Sequence, residues 1–142
     1  MKVKFVKTHP EAKEPTIAYP GDAGADLTAV GMNDYKNYVQ YETHVAVEIP
    51  EGYAGFLMPR SSISDKDLIL CNGIGLIDSK YRGSIKARFK KTKEQGNFYQ
   101  PGERIAQLVI VPYLQVEYEQ VEELSETERG SGAFGSSNVK PT

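Results

Sequence analysis

No stretch of this 142-residue chain shows the three-to-four-residue apolar spacing of an amphipathic helix, whereas apolar and polar residues alternate in short runs along much of its length. A chain patterned this way can bury its apolar side chains only by laying them on one face of a sheet. Lys2–Thr8 sets Val3 and Phe5 against Lys2 and Lys4 and reads as a half-buried strand. Tyr38–Pro50 places Val45, Val47 and Ile49 on one face, and Ser84–Lys90 does the same with Ile85, Ala87 and Phe89. Tyr53–Met58 and Leu68–Leu70 read as buried strands. Glu103–Leu114 is the longest apolar run, and its Val/Ile content and Pro112 favour strand over helix. Gln115–Val121 reads as a last alternating strand. Helical structure is expected only as a short piece at Asp65–Leu68 or a turn near Thr92–Gln95. Short strands separated by Gly, Pro, Asn and Asp predict an all-β sandwich or barrel, and no internal repeat is visible.

The length fits one domain, and 39% hydrophobic residues supply one modest core. A net charge of −2 argues against bulk, stable nucleic-acid binding, which needs a basic face, but leaves room for a local basic pocket for a small anion. The single cysteine, Cys71, excludes an internal disulfide and is expected to be a buried small hydrophobe. His9 and His44 read as surface or packing residues rather than ligands. No run is long and apolar enough to span a membrane, and the N-terminus lacks the apolar core of a signal peptide, so a cytoplasmic location is the default expectation. The composition shifts at Ser125. The last 18 residues carry three glycines, four serines and only three apolar side chains, Ala133, Phe134 and Val139. Such a segment cannot offset the entropy of ordering by burial. The expected organisation is a β domain over 1–124 and a flexible C-terminal arm over 125–142.

Five stretches place polar residues where a β domain would want turns or core. In GDAGADLTA, Asp26 interrupts the start of a strand, as a turn acid or as a site carboxylate. In PRSSIS, Arg60, Ser61 and Ser62 follow an apolar strand directly; hydroxyls and consecutive backbone N–H groups in such a turn can cradle a phosphate. In CNGIGLIDSKYRG, Asn72 offers a donor and an acceptor, matching the edge of a base such as uracil. Gly73 and Gly75 allow close backbone approach. Asp78 at a strand end can orient and deprotonate a water, and Tyr81 supplies a flat face against a sugar ring, tolerating hydrogen at C2′ and excluding hydroxyl. Arg82 and Gly83 read equally as an ion pair and a turn. In GERIAQLVIVP, Gln107 lies inside an apolar run and must either bond backbone or face a ligand. In RGSGAFGSS, Arg129 and the serines can hold a terminal phosphate while Phe134 stacks on a base, or the stretch is a linker with an incidental aromatic.

In this order and spacing, AGADLTA, PRSS, NGIGLIDSKYRG, RIAQLV and RGSGAFGSS resemble the five motifs of the homotrimeric dUTPase family, of bacterial or phage type, over nearly the whole chain. The resemblance implies a jelly-roll-like β-barrel subunit assembled as a trimer, with active sites between subunits and the C-terminal arm closing over one. The implied reaction converts dUTP and water to dUMP and diphosphate, limiting uracil incorporation into DNA and supplying dUMP for dTMP synthesis. Mg²⁺ would ride on the triphosphate without direct protein ligands. Carried over by motif, Asp78 is the general base, Tyr81 selects deoxyribose, and Asn72 with the Gly73–Ile77 hairpin, including Gly75 and Ile77, reads uracil. Arg60, Ser61, Ser62 and Gln107 hold the phosphates. Arg129, Ser136 and Ser137 grip their distal end, while Phe134 and Gly135 cap the base. Asp26 matches the family's first-motif acid, near the metal's water shell or at a subunit contact.

The chain departs from the family pattern at Ser84, where glutamate is usual, at Lys80, and at Ala133, where a glycine usually precedes the aromatic. An alanine there restricts φ. The related dCTP deaminases share the implied fold but lack the Asp-x-x-Tyr-Arg-Gly corner. Some phage members of the fold also bind regulatory proteins, and Ala29–Glu42 and Lys90–Gln100 are the stretches outside the motifs that could present such a surface.

Overall fold

The computed structural model describes residues 1–138. Nine strands form two antiparallel sheets, with no α-helix among the described residues. The strands are β1 (Lys4–Lys7), β2 (Ala25–Thr28), β3 (Gly31–Asp34), β4 (Tyr38–Glu48), β5 (Tyr53–Pro59), β6 (Leu68–Leu70), β7 (Gly75–Ile77), β8 (Ser84–Lys91) and β9 (Arg104–Pro112). The first sheet runs β1-β4-β8-β6, with β3 also on β4; the second runs β2-β9-β5-β7. Two antiparallel sheets closing on one core give the jelly-roll-like β architecture expected of the chain.

The core lies where alternation places it. β4 turns Val39, Tyr41, Val45 and Val47 inward, and β8 adds Ile85, Ala87 and Phe89. Leu27, Leu57, Ile77, Ile105 and Leu108 meet them from the second sheet. Tyr41 is fully buried and donates its hydroxyl to the carbonyl of Tyr99 at 2.8 Å. Burial drives the Tyr41 phenol far above its ordinary pKa, so it remains a neutral donor. Phe89 and Tyr99 pack tilted or edge-on around it.

Several expectations are corrected. Gln115–Val121 forms no strand: among the described residues no strand pairs with it, and Val116, Tyr118 and Val121 stand 60%, 92% and 51% exposed. The helical piece is a 3-10 turn at Ser61–Asp65 rather than at Asp65–Leu68, because β6 begins at Leu68. β1 is an exposed edge strand rather than a half-buried one, although Val3 just before it packs on the core. Ile69, in the middle of β6, faces out. Cys71 is exposed, because it lies in the turn after β6 instead of within the strand. His9 and His44 are packing residues, their rings stacked at 4.8 Å. Ala29–Glu42 is an ordered β3–β4 hairpin, with Tyr35 stacked on Tyr38 at its turn. No helix among the described residues is long and apolar enough to cross a membrane.

Candidate active site

The stretch between β6 and β7 passes from one sheet to the other: β6 pairs with β8, whereas β7 pairs with β5. It is therefore a crossing turn and not the hairpin expected over Gly73–Ile77. Gly73 makes the turn at φ +67, with its N–H donating to the carbonyl of Leu70 at 3.1 Å. A Cβ at Gly75 would come within 3.1 Å of Leu57 Cβ and 3.4 Å of Asn72 Nδ2, so glycine lets the Asn72 amide lie close over the chain. A cavity of about 410 Å³ opens at this seam. Asn72, Gly75, Ile77, Asp78 and Tyr81 line one part of it, and Gln40, Lys86 and Arg88 line it from β4 and β8. That size suits a nucleoside-sized ligand.

Asp78 directly follows β7 and is exposed at the cavity, with no ion-pair partner among the described residues. Tyr81 closes the turn, donating its N–H to the carbonyl of Asp78 at 3.0 Å. Its ring lies back over Gly83 and its hydroxyl donates to the carbonyl of Ser84 at 3.0 Å. Arg82 is structural here: Nη1 donates to the carbonyls of Ser79 and Tyr81, and Nη2 lies 3.5 Å from Glu48 on β4. A hydrogen bond from Lys4, helped by Arg82, holds the Glu48 carboxyl below its ordinary value. The family's usual acid is missing at Ser84, but the Ser84 hydroxyl donates to Glu42 of β4, so a carboxylate still adjoins the corner.

A second cluster forms where β2, β9 and β5 lie side by side. The register sets Asp26 opposite Gln107, and Gln107 opposite Met58. Asp26, 7% exposed, accepts from Arg60 Nε at 2.7 Å, Arg60 Nη2 at 3.4 Å and Arg104 Nη1 at 3.1 Å. It thus anchors two cations rather than marking a turn. Arg60 Nη1 reaches Ser62 Oγ at 3.5 Å, and Ser62 Oγ shares a 2.8 Å hydrogen bond with the buried Tyr99 hydroxyl. Ser61 is exposed at the start of the 3-10 turn. Gln107 Nε2 donates to the carbonyl of Pro59 at 2.9 Å, so of the two readings of this glutamine the backbone bond is the one realised. A Cβ at Gly24 would lie 3.1 Å from Gln107 Cδ, which explains the small residue before Ala25. Among the described residues no three His, Cys, Asp or Glu side chains gather as metal ligands.

The sequence model of the dUTPase family matches residues 10–138. The chain is 44% identical to the deoxyuridine 5′-triphosphate nucleotidohydrolase of Cutibacterium acnes over 134 residues, covering 92% of this chain and 88% of that protein. The chain belongs to the dUTPase family. Two dUTPase structures share its fold. One is the dUTPase of Staphylococcus bacteriophage 80alpha with dUpNHpp, with TM-score 0.84, 31% identity and coverage of 97% of this chain and 99% of the other. The other is a mutant of the phage phi11 enzyme, described with a structural Mg(II) ion, with TM-score 0.76, 26% identity and coverage of 89% and 100%.

In this dUTPase chain, the residues that line the cavity and the Arg60 cluster occupy different places, and among the described residues the arm joins neither. Arg129 Nε donates to the carbonyl of Gly132 at 2.9 Å, and the N–H of Ser136 donates to the carbonyl of Ala133 at 3.1 Å. Ser136 and Ser137 open a 3-10 turn, and Phe134 is fully exposed. The left-handed backbone falls at Gly130, Phe134 and Gly135, not at Ala133, so the alanine departure meets no backbone conflict. The expected arm runs to residue 142, and its last four residues, including Val139, lie outside the described ones. Sequence reading missed Arg104, Tyr99, Gln40, Lys86 and Arg88. Arg104 and Tyr99 carried no signal because their partners are set by pairing across 78 and 37 residues of chain. Gln40 and Arg88 face each other on β4 and β8, with Arg88 Nε donating to Gln40 at 2.8 Å, and looked like ordinary outward strand residues.

Proposed function

We propose that this dUTPase hydrolyses dUTP to dUMP and diphosphate at a site built from the seam cavity of one copy of the chain and the Arg60 cluster and arm of others. The observation that carries this reading is the convergence of Asn72, Gly75, Ile77, Asp78 and Tyr81 on one cavity. Asn72 and the backbone through Gly75 and Ile77 pair with the uracil edge. Cytosine is refused because its donors and acceptors are reversed, leaving buried polar groups unpaired. The Tyr81 ring packs on the sugar, leaving no room for a 2′-hydroxyl. Asp78, exposed at the cavity and free of an ion pair, takes a proton from water as its oxygen bonds to phosphorus. The α–β phosphoanhydride then breaks and diphosphate leaves.

Arg60, Ser61 and Ser62 hold the phosphates beside Gln107, whose amide is tied to the Pro59 carbonyl, and Arg129, Ser136 and Ser137 their distal end, with Phe134 and Gly135 over the base. Positioning and charge neutralisation carry most of such a reaction. Mg²⁺ carried on the triphosphate supplies further neutralisation, and phosphate oxygens and water suffice as its ligands. Asp26, already bound to two guanidinium groups, serves to aim Arg60. The division of site residues within one chain, and the exposed apolar side chains spaced along Tyr113 to Leu124, favour a homotrimer. A cytoplasmic location follows from the nucleotide substrate, and the reaction limits uracil in DNA while supplying dUMP for dTMP synthesis.

Diphosphate release from dUTP, dCTP, dTTP and UTP with Mg²⁺ tests the reading. Turnover confined largely to dUTP is expected. Equal turnover of UTP would remove the role of Tyr81, and no turnover of dUTP would overturn the function.

A further inference from the structure

β4 carries a bulge beside the Tyr81 corner. Glu42 pairs with Lys86 and Ala46 with Ser84, so Thr43, His44 and Val45 stand against Ile85 alone. His44 adopts φ +53, in the left-handed region that a histidine seldom visits. Side chains secure the bulge. Thr43 Oγ1 donates to the carbonyl of Ile85 at 2.8 Å and accepts from the N–H of Val45 at 3.2 Å. The N–H of His44 donates to Glu42 Oε1 at 3.2 Å. Bulges re-aim side chains, and this one brings the Glu42 carboxylate onto Ser84.

Glu42 Oε1 accepts the Ser84 hydroxyl at 2.5 Å, and Glu42 Oε2 lies 3.5 Å from Lys86 Nζ. The Glu42 side chain is 15% exposed, which shields these contacts from water. Ser84 is thereby held by its hydroxyl, while its carbonyl accepts the Tyr81 hydroxyl at 3.0 Å. Tyr81 itself is 45% exposed, so packing alone does not fix its ring. Its orientation rests on the close approach of its hydroxyl end to Gly83 and on the Ser84 carbonyl. From this geometry we infer that Glu42, acting through Ser84, is a positioning residue for Tyr81 and thereby sets how strictly the cavity prefers deoxyribose to ribose. The second half of the inference rests on the nucleotide reading given above; the first does not.

Ser84→Ala removes the link without opening the bulge, Glu42→Ala removes its anchor, and Glu42→Gln keeps an acceptor oxygen for Ser84 while losing the charge. Fluorine NMR of 3-fluorotyrosine-labelled protein reads the ring directly, with the Tyr81 signal assigned by its loss in Tyr81→Phe. The Tyr81 signal is expected to shift or broaden in Ser84→Ala and Glu42→Ala and to return in Glu42→Gln. The ratio of kcat/KM for dUTP over UTP is expected to fall about tenfold in each alanine variant, with Glu42→Gln near wild type. The double alanine variant is expected to fall no further, because the two residues act in series. An unchanged Tyr81 signal and an unchanged ratio in Ser84→Ala would overturn the inference, whether or not Glu42→Ala folds. A shifted Tyr81 signal in a protein whose wild type shows no preference for dUTP would uphold the positioning and overturn the nucleotide reading.

Discussion

The hydroxyl end of the Tyr81 ring lies against Gly83: a Cβ at Gly83 would stand 2.5 Å from Tyr81 Cζ and 2.9 Å from Cε2. Gly83→Ala must therefore swing the ring away. Because the ring is half-exposed, it can move without disturbing the core. The expected outcome is a roughly tenfold loss of dUTP-over-UTP discrimination with little change in melting temperature, read from kcat/KM on both nucleotides. Retained discrimination would mean that the ring does not contact the sugar.

Asp78 forms no ion pair among the described residues, so its carboxylate is available to water. Asp78→Asn is expected to lower kcat by roughly 10²–10⁴, the usual worth of a general base, while calorimetry with a non-hydrolysable dUTP analogue shows binding retained. Wild-type turnover in that variant would assign the proton transfer elsewhere.

Asp26 is buried between two guanidinium groups. Asp26→Ala leaves both unpaired, and since Arg104 is half-exposed the cost is expected to be about 1–3 kcal/mol, below that of breaking a fully buried pair. Urea denaturation at neutral pH measures it. A midpoint equal to wild type would show that water replaces the carboxylate without loss.

The Asp67 carboxyl is held below its ordinary value, chiefly by the N–H of Asn97 at 2.8 Å and secondarily by Lys93 at 3.4 Å. A lowered folded value means that the unfolded chain binds the proton more readily. The stabilisation is thus complete above the ordinary carboxylate pKa of about 3.9 and is lost as pH falls through the folded value. The gap in melting temperature between wild type and Asp67→Asn should be constant from pH 7 to about 5 and close below about pH 4. A gap independent of pH would locate the effect in packing.

Thr127 to Asn138 form hydrogen bonds only within their own segment among the described residues. Truncation after Glu128 is expected to leave the melting temperature within about 2 °C of wild type, since little buried surface is removed, while lowering dUTP turnover. Aggregation of the truncated protein would make the arm part of the folded body.

Strands whose alternation is driven by burial were legible in the residues themselves. Leu68–Leu70 coincides with β6, and Ser84–Lys90 falls one residue short of β8. β3 was not, because GMND has almost no apolar face and pairs through backbone with β4 alone. Gln115–Val121 misled in the opposite sense: its alternation is real, but no strand among the described residues offers it an edge. Site residues that announce themselves locally, such as Asp78 and Tyr81, were found. Arg104 and Tyr99 were not, since their roles come from side chains brought near by sheet register. Glu42 depends on a bulge that no local pattern of Thr43, His44 and Val45 reveals.

The separation of the seam cavity from the Arg60 cluster within a single chain has a genetic consequence. Two alleles damaged in different halves, Asp78→Asn and Arg60→Ala, would each be null alone. If the pocket is shared between copies as proposed, the co-expressed products would intermingle and some mixed assemblies would inherit one intact pocket made of undamaged parts. Partial recovery of dUTP hydrolysis in an extract of such a cell would therefore show that Asp78 of one copy works with Arg60 of another.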